Sequence, residues 1–88
     1  MIPITAHLRA EWVDPVLLLM DHQAHGIGID GDHVLALVAR LRADPEQSTD
    51  PIVVARRAGR LWVENGRHRV LAHLLAGRAQ ISAVIVEG

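Results

Sequence analysis

The sequence has 88 residues, half of them hydrophobic, and this composition predicts one small folded domain over residues 1–88. It contains no cysteine, which excludes disulfides, thiolate metal sites and cysteine nucleophiles. The net charge of −1 argues against an attraction of nucleic acid to the whole surface.

The first third of the chain gives few firm signals. Residues Ile2 to Ile4 read as a short strand, and Thr5 could cap a brief helical turn that ends at Ala10. The run from Val16 to Met20 fits either a buried strand or a helical turn. It is far too short to span a bilayer, and no signal peptide is visible, so we expect a cytoplasmic protein without membrane contact. Residues Asp21 to Asp32 are polar and glycine-rich and predict a loop.

The first clear helix follows this loop. Either Asp30 or Asp32 is suited to cap its start, and the Asp44-Pro45 pair ends it. Four apolar residues recur at the spacing of one helical face. They are Val34, Leu37, Val38 and Leu41. The pattern therefore predicts an amphipathic helix that packs along this stripe.

A β-hairpin is predicted after Pro51, with its turn at Ala58-Gly59. A two- or four-residue loop would place Arg56 opposite Leu61. One face of the hairpin is then apolar, with Ile52, Val54, Leu61 and Val63. The other face is mixed, with Val53, Ala55, Arg57, Arg60, Trp62 and Glu64.

A second helix and a last strand complete the predicted elements. The helix runs from about Arg67 to Ala76, with Gly77 as the residue that follows its end. Its predicted buried stripe consists of Val70, Leu71, Leu74 and Leu75. The strand covers Ile81 to Glu87 and is apolar on both faces. The order of elements predicts an α+β fold.

The stretch ENGRHRV, residues 64–70, puts Arg67, His68 and Arg69 at the start of the second helix. A helix start is already positive, because its first N–H groups lack backbone partners and its peptide dipoles align. A phosphate in front of Gly66 would satisfy these N–H groups and the arginines together. From these residues alone two interpretations stay open. The arginines bind an anion, or they are solvated, with Arg69 free to reach Asp50 or Asp21.

Residues 51–86 resemble the superfamily that joins the ParB N-terminal domain and sulfiredoxin. Members have a Pro-Ile-Val-Val strand, a Gly-x-His-Arg turn that leads into a helix, and a closing strand. The matching positions are Pro51, Ile52, Val53, Val54, Gly66, His68, Arg69, Ala72, Ala76 and Gly77. The resemblance implies a ParB/sulfiredoxin-like fold, in which a small mixed sheet carries two main helices.

The resemblance also implies a nucleotide or phosphate site at the helix start, formed by Asn65, Gly66, Arg67, His68 and Arg69. In sulfiredoxins the position after the glycine is the catalytic cysteine, and here it is Arg67, so reduction of a sulfinic acid is excluded. In ParB proteins a similar basic motif binds a nucleotide triphosphate, so the resemblance implies a nucleotide triphosphate with Mg²⁺ as the ligand. The second nucleotide motif and the helix-turn-helix of ParB have no counterpart in the sequence, so a CTP-gated DNA clamp is not expected.

Other candidate residues have competing interpretations. Glu64 could hold Mg²⁺ or act as a catalytic base, but we favour a role in neutralising Arg67 or Arg69 or in ending a strand in solvent. Asn65 is expected to cap the helix rather than contact a ligand.

Three further histidines and Trp62 are weaker candidates for a functional role. His22 and His25 have a spacing that metal ligands use, yet no metal site is predicted, because nothing else in the sequence supports one. The better interpretation of the segment that contains these two histidines is a loop that lies over the nucleotide. His73 is expected at the surface or its boundary, and Trp62 is expected to pack rather than to stack on a base.

Two functions from different classes therefore remain. The first is a domain that binds a nucleotide phosphate at Gly66–Arg69, with NTP hydrolysis or phosphoryl transfer as its potential chemistry. The second is a non-enzymatic module that contacts nucleic acid or a protein partner through the helix start and the basic hairpin, with Arg56, Arg57 and Arg60. Pairing with a second copy of the chain is left open, because so small a domain has a modest core.

Overall fold

The computed structural model describes residues 9–20, 29–44 and 50–87. Its strands are β1 (Ala10–Val13), β2 (Leu18–Leu19), β3 (Ile52–Arg57), β4 (Arg60–Asn65) and β5 (Ile81–Glu87). Its helices are a 3-10 helix (Pro15–Leu17), α1 (Gly31–Ala43) and α2 (Arg67–Leu75). The α+β class, with a mixed sheet and two main helices, is confirmed. The predicted strand at Ile2 to Ile4, the cap at Thr5 and the stretch with His22 and His25 lie outside the described residues.

The strands form a five-stranded mixed sheet in the order β1-β5-β3-β4-β2. The pairs β1–β5 and β3–β4 are antiparallel, whereas β3–β5 and β4–β2 are parallel. The parallel pair β3–β5 needs a crossover, and the chain makes it through β4 and α2. No helix among the described residues is long and apolar enough to cross a membrane.

The β3–β4 hairpin has the predicted register. Arg56 pairs with Leu61 and Arg57 with Arg60, which leaves a two-residue loop. Both loop residues, Ala58 and Gly59, have positive φ angles of 52° and 76°, as a turn that matches the twist of a hairpin requires. One feature was not predicted: the register shifts at the start of β3, between Val53 and Val54.

The main core lies on the face of the sheet that α2 covers. Its central residues come from the hairpin, β2, α2 and β5. They are Leu18, Ile52, Val54, Val63, Val70, Ile81 and Ala83. The predicted apolar hairpin face is thus confirmed, and each large aliphatic side chain buried here contributes about 1.5–3 kcal/mol.

A second cluster joins the two helices. Val34, Val38 and Leu41 of α1 pack against Ala72 of α2, and Leu37 is partly buried beside them. The predicted stripe of α1 is therefore confirmed. The helix also has the predicted cap, because the carboxylate of Asp30 accepts hydrogen bonds from the backbone N–H groups of the first turn.

The prediction for the buried stripe of α2 is partly wrong. Val70 is fully buried, but Leu74 and Leu75 are 38% and 58% exposed. The buried positions of this helix are instead Arg67, Val70, Ala72 and His73, so His73 is not a surface residue. The reason is the approach of α1, which requires the small Ala72 at the crossing and turns the two leucines outward.

Both interpretations of the run from Val16 to Met20 hold in part. A 3-10 helix begins at Pro15 after Asp14, whose Oδ1 accepts a 2.9 Å hydrogen bond from the N–H of Val16. The chain then forms the short strand β2 beside β4. At the end of α2, Gly77 has the expected positive φ of 73°, and the N–H of Arg78 bonds the carbonyl of His73 at 2.9 Å.

Candidate functional site

The start of α2 lacks a side-chain cap. Its N-cap is Gly66, in the left-handed conformation (φ 108°, ψ 26°), and the first turn contains no acidic residue. The first intrahelical bond runs from the N–H of Val70 to the carbonyl of Gly66 at 3.0 Å. The N–H groups of residues 67–69 therefore make no hydrogen bond to a carbonyl within the helix. The expected cap at Asn65 is wrong, because this residue ends β4.

Glycine is required at position 66 for two separate reasons. Its φ of 108° is strained for any residue with a Cβ atom, and a Cβ placed here would lie 2.8 Å from the Cβ of Ile52. Ile52 is fully buried in the main core and has little room to move. The backbone at the start of α2 is thus pressed directly onto the first residue of β3.

Arg67 follows Gly66 and is buried, with only 8% of its surface exposed. Arginine is rarely buried to this degree unless its charge is matched by other groups. Of the two interpretations left open, the solvated arginine is therefore wrong at this position. The guanidinium of Arg67 brings a permanent positive charge into the protein at the first residue of α2.

His68 joins the start of α2 to the start of α1. Its Nε2 accepts a 3.0 Å hydrogen bond from the backbone N–H of Asp30, so this ring nitrogen carries no proton. Its ring also meets the ring of His33 edge-to-face, with centroids 5.0 Å apart. The two helix starts are consequently neighbours in space. Nothing in the sequence predicts this contact, which links residues 38 positions apart.

Arg69 holds the helix start against the entry to β3. Its Nη1 donates to the backbone carbonyl of Asp50 at 2.5 Å and to that of Pro51 at 3.3 Å. Asp50, one of the two carboxylates considered for Arg69, is thus contacted through its backbone carbonyl and not its carboxylate. The other, Asp21, lies outside the described residues. Arg69 therefore positions the loop that faces the helix start, and its charge remains beside Gly66.

His73 supports Arg69 from one turn further along α2. Its Nδ1 donates a 2.7 Å hydrogen bond to the backbone carbonyl of Arg69. Burial lowers the pKa of His73 below 6.5; the bond to Arg69 acts in the opposite direction, and the charges of Arg78 and Arg69 lower it further. The neutral form of the ring is therefore the one that suits the fold.

Glu64 has a partner away from the helix start. Its Oε1 accepts a 2.7 Å hydrogen bond from Nη2 of Arg57, and the same guanidinium lies 5.6 Å from the ring centre of Trp62. Because Val63 faces the core beneath α2, the alternation of the strand turns Glu64 to the other face of the sheet. Of the two roles favoured for Glu64, pairing with Arg67 or Arg69 is wrong, because its partner is Arg57. Its exposed position beside the end of β4 agrees with the other role, a strand that ends in solvent.

The hairpin arginines carry less available charge than the sequence indicates. Arg57 is paired with Glu64, and Arg56 donates from Nη1 to Glu87 at 2.8 Å. Arg60 is exposed at the hairpin tip. These exposed pairs stabilise the fold little, but they reduce the positive charge that this surface offers to nucleic acid or an acidic partner.

The described ranges, 9–20, 29–44 and 50–87, contain no group of three or more metal-binding side chains. His22 and His25 lie outside these ranges. The carboxylate of Asp30 is committed to the N–H groups of Asp32 and His33, at 3.0 and 3.3 Å. The described residues therefore offer no cluster of three protein ligands to a metal ion.

No family model matches the sequence, and no curated protein matches it. Solved structures do. Sulfiredoxin from Arabidopsis thaliana superposes with a TM-score of 0.74 at 21% identity, over 91% of this chain and 86% of that one. A C-terminally truncated chromosome-partitioning protein ParB from Caulobacter crescentus, in complex with CTP-gamma-S, gives a TM-score of 0.77 at 16% identity. It matches 91% of this chain, which spans 45% of the ParB chain.

A third match is a Pnob8-like ParB-N domain, with a TM-score of 0.68 at 15% identity. It matches 92% of this chain and 30% of that chain. These three similarities confirm the predicted fold, which is that of sulfiredoxin and the ParB N-terminal domain. At identities this low they establish the fold alone.

Proposed function

We propose that this chain is a ParB-like nucleotide- or phosphate-binding domain that holds a phosphate group at the start of α2, from Gly66 to Arg69. The observation that carries the proposal is a helix start with no side-chain cap and no acid in its first turn. The N–H groups of its first three residues supply the donors that phosphate binding at a helix start uses. The ParB neighbour, crystallised with a CTP analogue, has the same fold.

The charges around this start support an anionic ligand. Arg67 is buried at the first helical position. Arg69 lies against Gly66 and donates a hydrogen bond to the backbone just before β3. Guanidinium groups beside oriented N–H groups form strong charge-assisted hydrogen bonds to phosphate oxygens. His68 and Asn65 complete the proposed site, with His68 orienting the neighbouring start of α1 through Asp30.

Binding is the central activity in this proposal. Glu64 is engaged by Arg57 on the other face of the sheet, so we assign it no catalytic role. Any Mg²⁺ would arrive with the phosphates of a nucleotide triphosphate, since the described residues offer no cluster of three protein ligands to a metal ion. We therefore propose binding of a nucleotide triphosphate as the function, and we assign neither hydrolysis nor phosphoryl transfer to this site.

Isothermal titration calorimetry with CTP, ATP and tripolyphosphate, each with and without Mg²⁺, tests the proposal. His68→Glu places a carboxylate in the first turn of α2, where it competes with phosphate for the N–H groups. Val16→Glu adds the same charge at a position that is 73% exposed on the 3-10 helix, and serves as the matched control.

We expect the wild type and the Val16 variant to bind at least one of these ligands, and the His68 variant to bind it at least about tenfold more weakly. Binding of tripolyphosphate alone would identify the phosphate chain as the recognised group. The absence of heat with every ligand at millimolar concentration, in a protein shown to be folded by circular dichroism, would overturn the proposal. Equal weakening in both variants would also contradict a site at α2.

A further inference from the structure

The face of α1 that points away from α2 contains both apolar and charged residues, and exposed His33 and Arg42 lie at its two edges. Six residues that recur at the spacing of one helical face form it, and we call them the outer face of α1. They are Asp32, Leu35, Ala36, Ala39, Arg40 and Ala43, all of them exposed. A helix of this kind ordinarily places charged and polar residues on the solvent side. Here four of six are apolar.

Exposed leucines continue this surface onto α2. Leu35 is 63% exposed and lines a groove of about 470 Å³ between the two helices. Leu74 and Leu75 form the opposite wall of the groove and are 38% and 58% exposed. A contiguous apolar surface of this sort is a common sign of an interface.

The two charged residues of the outer face suggest what covers it. Asp32 and Arg40 are eight residues apart, which is about 12 Å along a helix axis, so they do not pair within one helix. Ala36 lies midway between them, four residues from each. If two α1 helices cross in antiparallel orientation at Ala36, Asp32 of each copy lies level with Arg40 of the other.

We propose that the outer face of α1 is a two-fold symmetric interface with a second copy of this chain. A two-fold axis requires a surface that is complementary to itself, and an acid and an arginine placed symmetrically about an alanine meet this requirement. The small Ala36 at the crossing lets the helices approach to about 8 Å. The leucines of the groove, Leu35, Leu74 and Leu75, flank the crossing and lose contact with water.

The interface would place the partner copy on the helix that touches the proposed phosphate site. The backbone N–H of Asp30, at the start of α1, is bonded to His68. The proposal about α1 stands on its own residues, however, and does not require that phosphate binds at α2.

Sedimentation equilibrium of the whole chain tests this interface through charge reversal. Asp32→Arg and Arg40→Asp each place like charges opposite one another at both ends of the crossing. We expect each variant to dissociate with a Kd at least about tenfold above that of the wild type. The exchange of both residues in one chain restores opposite charges and with them the association of the wild type.

The two single variants also provide a sharper experiment when they are mixed. The Asp32→Arg variant is positive at both positions and the Arg40→Asp variant is negative at both, so opposite charges face one another at each end of a mixed crossing. The mixture is therefore expected to form heterodimers although neither variant pairs with itself. Glu11→Arg, an equal charge reversal at an exposed residue of β1, should leave association unchanged.

Three results would overturn the proposal. The first is a wild-type chain that stays monomeric at the highest soluble concentration, which is the result expected if this face binds a different protein. The second is a dimer that both single reversals leave intact. The third is a mixture of the two folded variants that fails to associate while the wild type does.

Discussion

The two helices of this protein begin side by side and in opposite ways. At α1, the carboxylate of Asp30 accepts hydrogen bonds from the N–H groups of Asp32 and His33, and Asp32 adds a negative charge to the first turn. At α2, Gly66 provides no side chain, and the first turn contains only basic residues and Val70. The first start is satisfied by its own sequence. The second is arranged so that an anion from outside would satisfy it.

The contact between the two starts makes the contrast informative. His68 accepts a hydrogen bond from the backbone N–H of Asp30, and this bond links the start of the capped helix to the start of the uncapped one. A helix start without a side-chain cap lacks the stability that a cap contributes. Substitutions at the two starts should therefore have different consequences.

The largest effect is expected at Gly66. Gly66→Ala forces a Cβ atom against Ile52 at a φ of 108°, and these two penalties together should lower the free energy of unfolding by about 2–5 kcal/mol. Gly59→Ala is the matched control, because its φ of 76° is also positive but its Cβ would meet open space. The control should cost about 1 kcal/mol in urea denaturation. Equal losses in the two variants would contradict the close contact with Ile52.

The next effect concerns the attachment of α2 to β3. Arg69→Gln removes the charged hydrogen bonds to the carbonyls of Asp50 and Pro51 and should destabilise the fold by about 1–2 kcal/mol. Arg42→Gln is the comparison, since Arg42 also donates to a backbone carbonyl, that of Leu75, but at 3.4 Å and on the surface. Its loss should cost less than about 0.5 kcal/mol. The reverse order in denaturation curves would show that Arg69 is not a positioning residue.

Removal of the cap of α1 is expected to have a moderate effect. Asp30→Ala leaves the N–H groups of Asp32 and His33 without their acceptor and should cost about 1 kcal/mol. Asp30→Asn retains a capping oxygen and should cost less. Thermal unfolding of the two variants measures the difference. If both unfold as the wild type does, the cap is not what satisfies this helix start.

The smallest effect is a dependence of stability on pH through His73. Because burial lowers the pKa of this residue below 6.5, the unfolded chain takes up a proton at pH values where the folded chain does not. The contribution of neutral His73 to the free energy of unfolding is therefore complete above pH 6.5. It is lost as the pH falls from 6.5 through the lowered pKa of the folded state. His73→Gln should reduce the decline in the free energy of unfolding between these limits. An unchanged slope would contradict a buried neutral ring.

Local patterns predicted the elements that local chemistry determines. The apolar stripe of α1, its cap at Asp30, the two-residue hairpin loop and the role of Gly77 all depend on residues that are close in sequence. Each follows from periodicity, capping or turn chemistry. The resemblance to the ParB and sulfiredoxin superfamily extended this from the order of the elements to the fold that they form.

Contacts between distant segments could not be predicted in the same way. The sequence of α2 offers two adjacent faces, and only the approach of α1 selects Ala72 and turns Leu74 and Leu75 outward. The partners of Arg69 are backbone carbonyls, which no residue type reveals. The hairpin register pairs Arg57 with Arg60, four residues from Glu64, so it does not predict the pairing of Arg57 with Glu64. The contact of His68 with Asp30 had no signal in the sequence.

The most direct test of the central claim compares the two helix starts in one titration. Backbone amide shifts are followed by NMR while CTP or tripolyphosphate is added to the wild-type protein. The account predicts large shifts at Arg67, His68 and Arg69 and much smaller ones at Asp32 and His33, whose N–H groups already bind the carboxylate of Asp30. Unchanged amides at the start of α2 at millimolar ligand, or equal shifts at both starts, would contradict it.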